Sequence, residues 1–201
     1  MKQKTENQSS KTMSDTSTLK KSFDRVKKLL KIKPEKGRYT TTTKVRVRDG
    51  TTCDIEHKHW KFTADVGKTE GGNDAGPGPS VLQRGALGSC LAIGYAKWAA
   101  YLDVPVNNIE VEIEADVDAR GTYGIDGVEP GYKGLRYKVY IDSPAPDDKI
   151  REVIEKADKH SPLLADFVNP VNVEREVNIV KSAAVEVIPT HANSEKAKVK
   201  S

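Results

Sequence analysis

Two residues carry most of the chemistry this chain could perform. Cys90 lies inside the apolar run Pro79-Ser-Val-Leu-Gln-Arg-Gly-Ala-Leu-Gly-Ser-Cys90-Leu-Ala-Ile-Gly-Tyr-Ala, and Arg48 begins the turn sequence Arg48-Asp49-Gly50. A thiol attacks an electrophile only as its thiolate. It therefore needs a cation, a helix N-terminus or a hydrogen-bond donor to lower the free-thiol pKa of about 8.5. Arg84 stands six residues before Cys90, a poor spacing for one helical face, whereas Arg48 at a turn can reach Cys90 from another element. Ser89 can cap a helix restarting at Cys90 if Gly88 breaks the segment before it. The opposing reading is that Cys90 is a buried small hydrophobe, a common fate of unpaired cysteine.

The remaining constellations are weaker. His57 and His59 share a strand face and could begin a metal site, but His160 and His191 lie far along the chain. A solvated strand face is the expectation, with no metal and no cofactor. Cys53 stands among Thr and Asp with no motif around it, and reads as a bystander. The glycines from Gly71 to Gly78 lack the Gly-Lys-Ser/Thr ending of a phosphate loop.

The elements that must position these groups are legible in the periodicity. Leu19, Phe23, Val26, Leu29 and Leu30 predict an amphipathic helix ending before Pro34, docked on the domain. Tyr39 to Arg48, the Asp49-Gly50 turn and the run through Cys53, Ile55 and His57 predict a hairpin. A third strand is expected from Trp60 to Val66, then an irregular loop from Glu70 to Pro79. Pro79 suits the first position of a long, nearly all-apolar helix, which is expected to be buried. Gly85 and Gly88 allow a close backbone approach or a bend there. Ile109, Val111, Ile113, Ala115 and Val117 alternate with acids, and Leu135, Tyr137, Val139 and Ile141 form the hairpin partner. Asp147 to His160 predicts another helix, and Val171, Val173, Val177 and Ile179 a last strand. This order, without βαβ alternation, is an α+β domain with a mainly antiparallel sheet.

Composition narrows the class. Of 201 residues 36% are hydrophobic and 31% charged, and residues 1–38 hold 12 Lys/Arg against 4 Asp/Glu, so the basicity belongs to the N-terminal arm and the rest is acidic. An acidic body argues against a nucleic-acid partner, and the arm reads as a solvated charge run. Met1 to Ser17 and the polar tail from Thr190 are expected to be loose. No stretch approaches the roughly 20 apolar residues of a membrane span, and no signal-peptide core precedes the domain. Two lone thiols suit a reducing compartment, so a cytoplasmic protein without a membrane partner is expected. The division expected is an arm over 1–38, a domain over 39–180 and a tail over 181–201.

Gly71-Gly72, Gly76-Pro-Gly-Pro79, Ala86-Leu-Gly-Ser-Cys90, the strand from Glu110 to Val117 and a helix ending in His160-Ser-Pro162 occur in an order that resembles the OsmC family, which includes the organic hydroperoxide resistance proteins. The resemblance covers roughly residues 38 to 180. It implies an intertwined homodimer with long helices buried between six-stranded sheets and active sites at the subunit interface. It also implies that Cys90 is the peroxidatic thiol, oxidised by an organic hydroperoxide to a sulfenic acid, with Arg48 stabilising the thiolate. Leu87 and Leu91, flanking Cys90, are the candidate substrate contacts. Two positions depart from the family pattern. Ser80 stands where its peroxidases carry a glutamate, and Ser161, before Pro162, where they carry a resolving cysteine. The expectation is a peroxidase that depends on an external thiol reductant. The alternative is a non-catalytic protein of the same fold that binds an apolar small molecule at the dimer interface.

Overall fold

A computed structural model describes residues 16–181, and the chain divides into two compact units, residues 1–170 and 171–201. Expectations for Met1 to Asp15 and for the tail from Thr190, including His191, lie outside the described residues. Among the described residues of the first unit, helix α1 (Thr16–Ile32) comes first, with apolar residues recurring on one stripe and a basic face opposite. Three antiparallel strands follow: β1 (Lys44–Asp49), β2 (Thr52–His57) and β3 (Trp60–Ala64), in the order β1-β2-β3. Val45 opposes Ile55 and Cys53 opposes Ala64 in this small sheet.

The loop from Asp65 to Gly78 is organised by one carboxylate. Asp65 accepts hydrogen bonds from the hydroxyls of Thr51 at 2.6 Å and Thr52 at 2.9 Å, and from the N–H groups of Val66, Asn73 and Ala75 at 2.8, 3.0 and 3.2 Å. The side chain is buried, and the Thr51 hydroxyl first, then the Thr52 hydroxyl and the N–H groups of Ala75 and Val66, hold its carboxyl well below the usual carboxylate range against the cost of burial. Glycine is required where the loop folds on itself: a Cβ on Gly72 would lie 2.1 Å from the Val66 carbonyl oxygen. The loop thereby delivers Pro79 to the first turn of helix α2 (Pro79–Tyr101).

Leu87, Leu91, Tyr95 and Ala99, four residues apart along α2, are buried against strands β4 (Asn108–Val117) and β5 (Tyr132–Asp142) and helix α4 (Asp147–Lys159). Ile109, Val111 and Ile113 of β4 and Leu135, Tyr137, Val139 and Ile141 of β5 complete the inner layer. The alternating acids face outward and pair across the hairpin. Glu112 stands opposite Lys138 and Glu114 opposite Arg136, exposed pairs that fix register more than they add stability. At Gly88 the helix approaches the sheet closely, since a Cβ there would meet Ile113 at 3.3 Å. A short helix α3 (Ala119–Thr122) interrupts the connection between β4 and β5, and α5 (Pro162–Val168) follows α4.

The fold is α+β with antiparallel sheets and a long helix lining the core, as the periodicity predicts. The described residues form one three-stranded and one two-stranded sheet. One expectation is corrected. Residues 171–181 form no strand. A strand exists only with a hydrogen-bonded neighbour, and among the described residues this segment takes part in no ladder. Val171, Val173, Val177 and Ile179 accordingly stay exposed.

Candidate functional site

Cys90 is the twelfth residue of α2, so neither a helix N-terminus nor a break at Gly88 lies beside it. Ser89 does not cap a new helix. Its hydroxyl donates back to the Ala86 carbonyl at 3.0 Å, a bond the intact helix allows. Cys90 lies next to the fully buried stripe of α2, and its half-buried thiol opens onto a groove of about 750 Å³. α2 supplies Ile93, Gly94, Lys97 and Trp98 to that groove, α1 supplies Leu19, Phe23 and Val26, and the end of α4 supplies Ala157 and His160.

Among the described residues one polar side chain reaches the sulfur. The Cys90 Sγ lies 3.5 Å from the Ser161 Oγ, at the junction of α4 and α5. Ser161 is buried and is also the N-cap of α5, where its oxygen accepts from the Leu164 N–H at 3.3 Å. Accepting there leaves the hydroxyl hydrogen free to point at the sulfur. Ser161, singled out from the sequence by its place before Pro162, is therefore the side chain beside Cys90.

The other residues singled out from the sequence go elsewhere. Arg48 Nε donates to both carboxylate oxygens of Asp54, at 3.2 and 3.1 Å, across the β1-β2 hairpin. The pair is exposed, and Arg48 does not line the Cys90 groove. Leu87 and Leu91, at 0% and 1% exposure, are core residues that do not line it either. Ser80 offers its carbonyl to the Tyr132 hydroxyl at 3.1 Å. Cys53 donates weakly to the Thr51 carbonyl oxygen at 3.5 Å. His57 Nδ1 contacts the Thr42 carbonyl at 2.9 Å and His59 packs on Trp60, with ring centroids 4.6 Å apart. Among the described residues no cluster of His, Cys, Asp or Glu is arranged to hold a metal.

The structure adds groove residues the sequence reading passes over. His160 packs on Trp98 at 5.0 Å, with its Nδ1 engaged by the Lys156 carbonyl. Phe23 and Lys27 of α1 close the opposite side. Their signal in the sequence is the apolar stripe of α1, which says that the helix docks without saying on what.

Beneath the groove, Asp158 ties three elements together. It accepts from the Tyr95 hydroxyl at 2.6 Å and the Tyr137 hydroxyl at 3.0 Å. Burial first, and then the adjacent carboxylate, push Tyr137 up to about 12 and Tyr95 higher still.

A family model described as OsmC-like protein matches residues 71–176. In solved structures the fold is similar to an OsmC-like protein from Mycoplasma pneumoniae, at 16% identity and TM-score 0.57, over 66% of this chain and 89% of that one. It is also similar to a protein from Psychrobacter arcticus named for osmotic stress induction and a detoxification response, at 15% identity and TM-score 0.53, over 66% and 91%. A third is an OsmC-like protein of unknown function from Vibrio cholerae, at 11% identity and TM-score 0.50, over 64% and 94%. No curated protein matches the chain in sequence. With its central helix, its thiol and more than half its length inside the matched stretch, the chain belongs to the family of OsmC-like proteins.

Proposed function

We propose that this protein is a thiol-dependent redox protein acting in the response to peroxide stress, with Cys90 reducing organic hydroperoxides. The observation that carries the reading is the Cys90 sulfur, open to an apolar groove and within 3.5 Å of the Ser161 hydroxyl. The thiolate attacks one oxygen of the hydroperoxide, the O–O bond breaks, an S–O bond forms, and the departing alkoxide takes a proton to become the alcohol. Ser161 cannot close a disulfide on the resulting sulfenic acid. An external thiol attacks that sulfur and releases water, and a second external thiol frees Cys90 and leaves as the external disulfide. Two unpaired cysteines, Cys53 and Cys90, suit a reducing compartment such as the cytoplasm. No helix among the described residues is long and apolar enough to cross a membrane.

The working unit in this reading is a homodimer. Val45 and Val47 of β1 and Trp60 and Phe62 of β3 stand exposed, an apolar surface of the kind that marks an interface. The role that the resemblance gives Arg48 belongs to the same proposal. Its exposed hairpin would have to bring the guanidinium to the groove of a second copy and break the pair with Asp54.

Addition of one equivalent of an aryl hydroperoxide with dimedone tests the reading. A dimedone adduct on Cys90, retained in Cys53→Ser and lost in Cys90→Ser, is the expected result; no adduct on Cys90 overturns it. Sedimentation equilibrium of the same protein should return twice the 22.1 kDa chain mass.

The engagement of Arg48 by Asp54 favours a second reading, in which the groove binds an apolar small molecule without chemistry. Its volume of about 750 Å³ suits such a ligand. Under that reading Cys90→Ser keeps both the affinity for an apolar fluorophore and the biological effect.

A further inference from the structure

One wall of the Cys90 groove is a helix outside the stretch the family model matches. Leu19, Phe23, Val26 and Leu30 of α1 face Ile93, Gly94 and Trp98 of α2 across it. No residue of α1 is buried, and Ile32 is exposed at its end. The helix is held by a few side chains at the C-terminal end of α2. The Phe23 ring lies 4.7 Å from Tyr101 and 5.1 Å from Trp98. Lys27 Nζ donates to the Tyr101 hydroxyl at 2.7 Å and stands 4.2 Å from the centroid of its ring, and Lys20 pairs with Asp103. The polar contact of the Cys90 sulfur is with Ser161, not with α1. The helix thus bounds the space in front of the thiol without touching the thiol chemically, and a surface helix with few buried contacts opens locally at small cost.

We propose that Phe23 and Lys27 are specificity-determining positioning residues. By seating α1 on Trp98 and Tyr101 they make it the wall that sets the size of the apolar molecule able to reach Cys90. The inference rests on Cys90 being the reacting group, as argued above, but not on peroxide being its substrate. Any electrophile that a thiolate attacks will report it: a maleimide, whose double bond gains an S–C bond and a proton, or iodoacetamide, which loses iodide.

The test uses the full chain with Cys53→Ser, so that Cys90 is the sole thiol. Second-order alkylation rates are measured with iodoacetamide, which is small, and with N-(1-pyrenyl)maleimide, which is bulky and apolar. Phe23→Ala combined with Lys27→Ala is expected to raise the bulky rate about tenfold and to move the small one by less than about twofold, the scale of a steric pocket effect. Phe23→Trp should restore the original ratio. Leu30→Trp fills the groove from the α1 side with the anchor intact, and should slow the bulky reagent about tenfold while sparing the small one. Equal changes in both rates, or no change in any variant, overturn the inference. Size-dependent alkylation without a dimedone adduct under peroxide overturns the redox reading and leaves this inference standing.

Discussion

Cys90 and Ser161 lie 71 residues apart in sequence, yet their Sγ and Oγ atoms are 3.5 Å apart. The contact is made because α2 and α4 pack through small residues, with Gly94 against Ala157, which brings the end of α4 over the middle of α2. A sulfur–oxygen distance of this size is close enough for two sulfurs to bond after a small side-chain rotation. The hydroxyl is thus the present occupant of a position from which a thiol could resolve an oxidised Cys90.

Ser161→Cys is therefore expected to close a disulfide with Cys90. One equivalent of hydroperoxide would oxidise both thiols and leave an alcohol and water, so that denatured protein titrates with one thiol, Cys53, where the unoxidised variant shows three. Retention of three thiols, or a dimedone adduct persisting on Cys90, would show that the two side chains do not meet in solution.

The two apolar stripes of α2 are expected to respond differently to truncation. Leu91→Ala removes a core side chain at 1% exposure and should cost about 2–5 kcal/mol, read as a lower urea midpoint. Ile93→Ala, at 54% exposure on the groove, should cost far less and instead weaken binding of an apolar fluorophore. If Leu91→Ala weakens binding and Ile93→Ala does not, the ligand enters from the core side and the groove assignment fails.

This difference shows where periodicity reaches its limit. α1, α2, α4 and the β4-β5 hairpin are readable because their apolar residues recur at three to four or at two residues, which fixes what each segment has to bury. α2 is apolar nearly all round, so its pattern does not say which stripe meets the sheet. Leu87 and Leu91 go inward and Cys90 and Ile93 outward only because β4, β5 and α4 lie on one side and α1 incompletely covers the other. The stretch with Val171, Val173, Val177 and Ile179 shows the same limit in a strand pattern. Alternation specifies a face to bury, and what would bury it is set outside the alternating stretch itself. Ser161 was legible by its place before Pro162, but its contact with Cys90 depends on the packing of α4 across α2.

Tyr95, Tyr137 and Asp158 form the polar junction under the groove. Tyr95→Phe deletes the 2.6 Å hydrogen bond to a carboxylate and should cost about 1.5–3 kcal/mol, the range for bonds to charged groups. Both tyrosines are raised above their ordinary value, so their neutral form is the one folding favours. Their contribution is full below the unfolded pKa of about 10 and is lost as pH rises toward and beyond 12. Absorbance titration at alkaline pH should therefore show two tyrosines ionising only together with unfolding. Reversible ionisation of all seven near the ordinary value in folded protein would contradict the network.

Asp65 is displaced in the opposite direction, and its effect appears in acid. Its carboxyl is held low chiefly by the Thr51 hydroxyl, with the Thr52 hydroxyl and the N–H groups of Ala75 and Val66 adding to it against the cost of burial. A depressed folded value means that the ionised form stabilises the fold. The contribution is full above the unfolded value of about 3.9 and is lost as pH falls below it. Asp65→Asn replaces a pure acceptor with a group that must also donate, into a site built from five donors, and should lower the urea midpoint at neutral pH by more than Asp54→Asn on the exposed hairpin. As the wild type loses its own carboxylate in acid, the gap between the two proteins should narrow below about pH 4. A gap that stays constant from neutral pH to acid would mean that ionisation of Asp65 does not hold the loop before Pro79. The presentation of α2, and with it Cys90, would then rest on the backbone of that loop alone.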